Sequence, residues 1–113
     1  MKKLFLLFLF TCPALFSQTF VYNNSIGDFK DATSFYINPT GFIYITDAIT
    51  DEVYELDTLG NAIHDVGGYG WNDGNFDDPV DIFATSLNIY VTDKNNHRVE
   101  RFDKDLNFIS KLF

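Results

Sequence analysis

The stretch IYITD at residues 43–47 returns almost unchanged as IYVTD at residues 89–93, an offset of 46 residues. The same offset aligns Val53 with Val99, Leu56 with Phe102, and Asp57 with Asp103. Repetition at such a period is typical of arrays in which one supersecondary unit cannot bury its own apolar face. Function must therefore be sought in an assembly of units.

Each copy is predicted to contain four short strands separated by turns rich in Gly, Pro, Asn and Asp. The predicted strands are residues 33–37, 42–46, 52–57 and 61–66 in the first copy, and residues 80–84, 89–92, 98–103 and 107–113 in the second. The second strand of each copy is apolar on both faces, so it should be covered on both sides. No segment shows helical periodicity. These patterns predict an all-β fold, a β-propeller of four-stranded antiparallel blades with about two blades present.

The second copy contains the glycine-rich loop GWNDGNFDDPV at residues 70–80, the strand NIYVTD at residues 88–93 and the turn NNHRV at residues 95–99. These motifs and their order resemble an NHL repeat. The first copy is degenerate, since it has Asp51-Glu52 in place of His97-Arg98 and Thr33 in place of Pro79. The resemblance implies a propeller, and NHL-like propellers commonly serve in recognition.

The chain divides into four predicted segments. They are a signal peptide at 1–17, a strand completing a missing blade with its following loop at 18–30, a first NHL-like repeat at 31–66, and a second at 67–113 that is truncated. Because a propeller typically has 4 to 8 blades, further blades are expected from a longer chain or from other protomers. The sequence is thus interpreted as a fragment of a larger ring.

The N-terminus and the charge indicate an exported protein that does not bind nucleic acid. Lys2 and Lys3 precede an apolar run that is too short to span a bilayer and is typical of a signal peptide. Secreted, periplasmic and cell-surface locations fit, with a lipid anchor at Cys12 as a minor alternative. Cleavage after Ser17 would change the net charge from −8 to −10, and this acidity disfavours nucleic acid.

The candidate ligand-binding residues lie in segments predicted to share one surface. The loop at 67–78 and the turns at 47–51 and 94–97 should emerge together, because antiparallel strands cross the ring in alternating directions. The candidates on that surface are Tyr69, Trp71, Asn72, Asn95, Asn96 and His97. Exposed aromatic residues suit stacking on sugars and interaction hot spots, so a protein or glycan partner is predicted. The alternative for Trp71 is a wedge between neighbouring blades.

A second set of residues is assigned structural roles in the motif. Aspartate at the end of a strand more often accepts hydrogen bonds from the following turn than acts as a catalyst. The structural set is Asp47, Asp93, Arg98, Pro79 and Gly74.

No cofactor is predicted, although a divalent cation remains an alternative. Asp73, Asp77, Asp78 and Asp81 form an acidic cluster, but their spacing departs from an EF-hand loop. A histidine-based metal site is not expected, because His64 and His97 lie in different copies. The leading hypothesis is a non-catalytic recognition scaffold. The alternative is a fragment of a six-bladed enzyme of the lactonase or lyase type, with Asp81 helping to hold a metal in the central channel.

Overall fold

The structure is a computed structural model that describes residues 25–113, and within this range it contains eight strands and no helix. The strands are β1 Ala32–Ile37, β2 Ile43–Asp47, β3 Glu52–Leu56, β4 Ala62–Gly67, β5 Pro79–Ala84, β6 Asn88–Asp93, β7 Arg98–Asp103 and β8 Phe108–Leu112. The predicted strands are confirmed to within one residue at each end.

The strands form two sheets of four, each with its strands side by side in chain order and every pair antiparallel. We call β1–β4 the first blade and β5–β8 the second blade. The two blades form an open arrangement and not a closed ring. The predicted class, an all-β incomplete propeller with two four-stranded blades, is confirmed.

The core lies between the two blades, where β5 packs against β1 and β2. Strand alternation directs Tyr44 and Val53 of the first blade into the same buried cluster as Val91 and Phe102 of the second, and all four are fully buried. Burial of each such side chain stabilises the fold by roughly 1.5–3 kcal/mol. On the two faces that meet, each blade therefore covers the apolar side chains of the other.

The register of the inner strands corrects one predicted correspondence. Ala32 occupies the place in β1 that Pro79 occupies in β5, because both pair with the aspartate that ends the following strand. The alignment of Thr33 with Pro79 is therefore wrong by one residue. Five residues separate the paired Ile37 and Ile43, and four separate the corresponding pair Ala84 and Ile89, so one extra residue in the first blade shifts the offset of its inner strand.

The residues before β1 are fastened to the first blade. The backbone N–H groups of Lys30 and Asp31 donate to Asp47, and the Phe29 ring meets the Tyr54 ring edge-on at 5.4 Å between centroids. The described residues include no helix long and apolar enough to cross a bilayer. The predicted signal peptide, Cys12 and the strand predicted within residues 18–24 lie outside the described residues.

Candidate recognition surface

Three connections meet at the end of the sheets where β2 and β6 finish. We call this surface, made of residues 47–51, 67–78 and 93–97, the loop face. Asp51 joins the blades, because its carboxylate accepts from Asp78 N at 2.9 Å and its carbonyl accepts from Gly68 N at 2.7 Å. Asn95 N donates to the Asp77 carbonyl at 3.1 Å. The shared surface predicted from the antiparallel topology is therefore present.

Arg98 fixes the shape of the long loop between the blades. Its guanidinium is fully buried and donates to Asp93 Oδ2 at 2.9 Å. The same group donates to three backbone carbonyls of the loop, those of Trp71 at 2.7 Å, Asn72 at 3.1 Å and Asn75 at 2.7 Å. The planar, five-donor shape of a guanidinium suits such a convergent set of acceptors. The loop therefore has one buried cation as its centre.

Glu100 completes the ionic centre beneath the loop. It is fully buried, lies 2.8 Å from Arg98 Nη2, and accepts from Gly74 N at 2.9 Å. Burial raises the pKa of the Glu100 carboxyl, and the Gly74 N–H and the Arg98 charge act in the opposite direction. Gly74, at φ 79°, has the left-handed backbone that glycine adopts without strain.

Asp47 and Asp93 have the same position in their blades and similar partners. Asp47 accepts from the backbone N–H groups of Lys30, Asp31, Ile49 and Thr50 at 2.6–3.2 Å. Asp93 accepts from Asp77 N at 2.8 Å and from the Asn96 amide at 2.8 Å, in addition to Arg98. Both carboxylates are buried and engaged in holding backbone segments.

Tyr69 and Trp71 are exposed on the loop, with 77% and 56% of their surface accessible. The indole of Trp71 stacks on Phe113 at 6.0 Å between centroids with the planes 24° apart. The Arg98 guanidinium carbon lies 5.2 Å from the centre of the same indole. Trp71 is therefore held in place while much of its surface faces solvent.

The remaining candidate residues differ in exposure. Asn72, Asn95 and His97 are exposed, and the Asn95 amide donates to Asp77 at 2.8 Å. Asn96 is buried, and its amide donates to the Gly70 carbonyl and to Asp93. The Asn96 side chain is thus already used inside the protein, and its part in ligand binding stays a prediction.

Phe76 fills the seam between the blades, a role that the sequence suggested for Trp71 as an alternative. It is fully buried in the cluster shared by the two sheets, and its ring lies 5.9 Å from that of Phe102. Backbone hydrogen bonds from Phe76 N to Gly68 O and from Gly70 N to Phe76 O hold it there. The sequence feature that could have indicated this buried position is that Phe76 directly precedes the acidic pair and the proline that begins β5.

The carboxylates of the acidic cluster go to separate partners. Asp73 pairs with Lys111 at 2.6 Å, Asp77 accepts from Asn95, and Asp78 pairs with Lys94 at 2.5 Å. Asp81 is exposed and accepts from Ser34 Oγ at 3.0 Å. Among residues 25–113, the cluster does not bring three potential metal ligands together. The channel-metal alternative stays a prediction.

Comparison with known proteins agrees with this architecture. The family model of the NHL repeat matches residues 76–102. A candidate exported protein of Bacteroides fragilis NCTC 9343 has a similar structure, with a TM-score of 0.65 and 15% sequence identity over 81% of this chain. That alignment covers 27% of the other chain, so this chain spans about a quarter of its length. No curated protein matches.

The fold and these matches define a β-propeller-type protein. The NHL-repeat match spans β5, β6 and most of β7 of the second blade, and the first blade repeats the strand order and the terminal aspartate of the second.

Proposed function

We propose that this chain is part of an exported, non-catalytic recognition scaffold, and that its loop face binds a glycan. The observation that carries the proposal is the exposed pair Tyr69 and Trp71 on a loop whose backbone is held by the buried Arg98. A surface fixed before binding loses less conformational entropy when the ligand arrives. Indole and phenol rings supply flat apolar surfaces for sugar rings, and their polar atoms reach water or ligand.

The chemistry around the two rings favours a glycan over a protein. Asn72, Asn95 and His97 add to the same loop face exposed groups that can donate and accept hydrogen bonds. A protein interface of standard size buries about 800 Å² on each partner around an apolar centre. The two rings lie among amide side chains and glycines, whose polar groups suit the hydroxyl groups of a sugar.

Two observations support an exported location. The basic and apolar start of the sequence is typical of a signal peptide. The similar structure from Bacteroides fragilis is described as a candidate exported protein. A secreted, periplasmic or surface scaffold would also need further blades, from a longer chain or from other protomers, to cover its open faces.

The test uses Trp71 as its own reporter, since it is the single tryptophan of the chain. The full chain is titrated with malto-, cello-, xylo- and chito-oligosaccharides while the indole emission is recorded. We expect one oligosaccharide class to shift the emission saturably, and Tyr69→Ala to weaken that response at least about tenfold. The control is Leu59→Ala, an 82% exposed residue in a turn at the other end of the strands.

A glycan microarray provides the independent readout. Binding that disappears in Trp71→Ala and persists in Leu59→Ala supports the proposal. Absence of any saturable glycan binding, or glycan binding that survives Trp71→Ala, contradicts it.

A further inference from the structure

A mixed cluster of imidazole and carboxylate groups lies at the opposite end of the strands from the loop face. Glu55 of β3, His64 of β4 and Asp105 of the turn between β7 and β8 each offer one ligand atom, and these atoms lie within 4.8 Å of one another. We propose that these three side chains form a binding site for a divalent transition-metal ion of the Zn²⁺ type. The site would join the two blades, because two ligands come from the first and one from the second.

The donor set fits this class of ion. One imidazole nitrogen with two carboxylate oxygens is a common protein environment for Zn²⁺, with metal–ligand distances of about 2.0–2.2 Å. Two ligands of a tetrahedral ion at these distances are about 3.4 Å apart. The ligand atoms lie within 4.8 Å of one another, so the widest pair must close by up to about 1.4 Å, which a turn residue such as Asp105 can supply.

Glu55 is already oriented for this role. Its side chain is 4% exposed, and the Tyr44 hydroxyl lies 3.1 Å from Oε1. The other oxygen, Oε2, lies 2.7 Å from His64 Nδ1. Burial and the Glu55 carboxylate raise the pKa of the Tyr44 hydroxyl, so it stays protonated as a donor. Binding of a metal ion would replace the direct contact between Glu55 Oε2 and His64 Nδ1.

The repeat shows that the fold does not require these residues. Arg101 and Ser110 form the cross-strand pair of the second blade that corresponds to Glu55 and His64 in the first. Leu59 corresponds to Asp105 by the same 46-residue offset. The two blades therefore have the same strand pairing with and without the ligand set, and all three ligand positions gather at one place between them.

The cluster is open to ions from solvent. It borders a cleft of about 270 Å³ between the blades, lined in part by Tyr44, Glu55 and Asp105. The side chains of His64 and Asp105 are 45% and 43% exposed. Lys104 Nζ lies 2.6 Å from Asp105 Oδ1 and competes with a metal for that carboxylate. An exposed ion pair of this kind is worth about 0–1 kcal/mol, so a metal can displace it.

The decisive experiment is a Zn²⁺ titration of the full chain by calorimetry and by competition with a chromophoric chelator. All variants carry Cys12→Ser, so that the single thiol does not contribute. We expect one ion per chain and a loss of roughly 100-fold in affinity in His64→Ser, which introduces the residue found at the corresponding position of the second blade. The matched control is His97→Ser, which removes the other histidine from the loop face and should leave the affinity unchanged.

Two further variants separate a metal site from general damage to the fold. Asp105→Asn alters an exposed turn and should weaken binding at least about tenfold, whereas Lys104→Gln should strengthen binding because it removes the competing ammonium group. The imidazole nitrogen resonances of His64, and not those of His97, should shift on addition of Zn²⁺. Absence of saturable binding in the parent chain, or equal affinities in His64→Ser and His97→Ser, would overturn the proposal.

Discussion

Arg98 is the residue on which the geometry of the loop face depends most directly. Its buried guanidinium donates hydrogen bonds to Asp93 and to three loop carbonyls and forms an ion pair with Glu100. The corresponding residue of the first blade is Glu52, which instead interacts with the Tyr54 hydroxyl. Within residues 25–113, a buried arginine therefore holds the loop before the second blade, and the first blade has no such arginine at the corresponding position.

Replacement of Arg98 by lysine should destabilise the protein by about 3 kcal/mol. Lysine keeps the charge but cannot reach all the acceptors, so buried oxygens lose their donors. Urea unfolding followed by circular dichroism measures the loss. The control is Lys94→Gln, which removes an exposed ion pair and should cost less than about 1 kcal/mol. Equal losses in the two variants would contradict the assigned role of Arg98.

Asp47 should make the stability of the fold depend on acidity. Burial acts to raise the pKa of this carboxyl, but the backbone N–H groups of Lys30, Thr50, Ile49 and Asp31 outweigh it and hold the pKa below its usual range. The unfolded chain therefore takes up a proton first as the pH falls. The stabilisation is complete above the ordinary aspartate pKa of about 3.9 and is lost as the pH falls through the lower folded value.

Asp47→Asn tests this dependence. The variant should be less stable by about 1–3 kcal/mol at neutral pH, because an amide nitrogen cannot accept from backbone N–H groups. Its free energy of unfolding, measured in urea between pH 6 and pH 2.5, should also change less with pH than that of the parent. Asp65→Asn, at an exposed position of β4, serves as the control. A pH slope in Asp47→Asn equal to that of the parent would contradict the prediction.

At the scale of the elements, the strands could be predicted because their signals are local. Short apolar runs bounded by turn residues mark β2 and β6, which carry the repeated IYITD and IYVTD segments. The shift at Ala32 could not be predicted, because a turn one residue longer leaves no mark in the apolar pattern of β1. Asn38 holds that turn, since its side-chain oxygen accepts from Thr40 N and Phe42 N at 3.0 Å.

The junction where β4 leaves the first blade depends on a close approach of two backbone segments. A Cβ atom at Gly67, where φ is 142°, would lie 2.3 Å from the Asp51 carbonyl oxygen. At Gly68, where φ is 92°, the nearest atom would be the Asn75 amide nitrogen at 3.6 Å. Both glycines therefore have a positive φ that is unfavourable for other residues, but of these two only Gly67 also lacks room for a Cβ atom.

Gly68→Ala should cost about 1–2 kcal/mol from backbone strain alone. Gly67→Ala should cost about 1–3 kcal/mol more, since the backbone of β3 must also move. The comparison is made by thermal and urea unfolding of both variants side by side. Equal losses would show that the contact with Asp51 is readily relaxed.

At the scale of the whole molecule, each blade has the two surfaces that form the interface between blades: the one that the first blade uses here and the one that the second blade uses. Ile82 of the second blade is buried against the first, and its counterpart Phe35 in the first blade is 68% exposed. Val53 is fully buried against the second blade, and its counterpart Val99 is only partly covered. In the described part of the chain, one surface of each kind is therefore buried between the blades. The other, around Phe35 in the first blade and Val99 in the second, is not covered.

Such complementary halves favour head-to-tail association. The full chain should form dimers and larger species as its concentration rises in sedimentation velocity experiments. Phe35→Glu, which places a charge on an exposed apolar face, should shift the distribution toward the monomer. Leu59→Glu, at an exposed turn away from both faces, should leave it unchanged. A monomer at all concentrations, or equal effects of the two substitutions, would contradict the prediction.

The candidate sites were predictable only in part, because some of their residues are brought together by packing between the two blades. The loop residues Tyr69 and Trp71 stand out in sequence because aromatic side chains among glycines are unusual. The burial of Asn96 depends on a carbonyl 26 residues away, that of Gly70. Asp105 reaches Glu55 and His64 only after the second blade has packed on the first. Proximity created by packing between repeats has no local signal.

The hydrogen bonds between the blades also affect when the first blade can finish folding during synthesis. The Tyr44 hydroxyl meets the carbonyl of Lys104, which the ribosome adds 60 residues later. The Thr33 hydroxyl likewise donates to the carbonyl of Pro79, 46 residues downstream. Until those carbonyls leave the ribosome, the face of the first sheet that will contact the second blade is exposed to solvent, and these two hydroxyl groups lack their acceptors in the second blade. We therefore expect an interval during translation in which the first blade has been synthesised but the second has not. In that interval the exposed apolar face of the first blade is most accessible to chaperones.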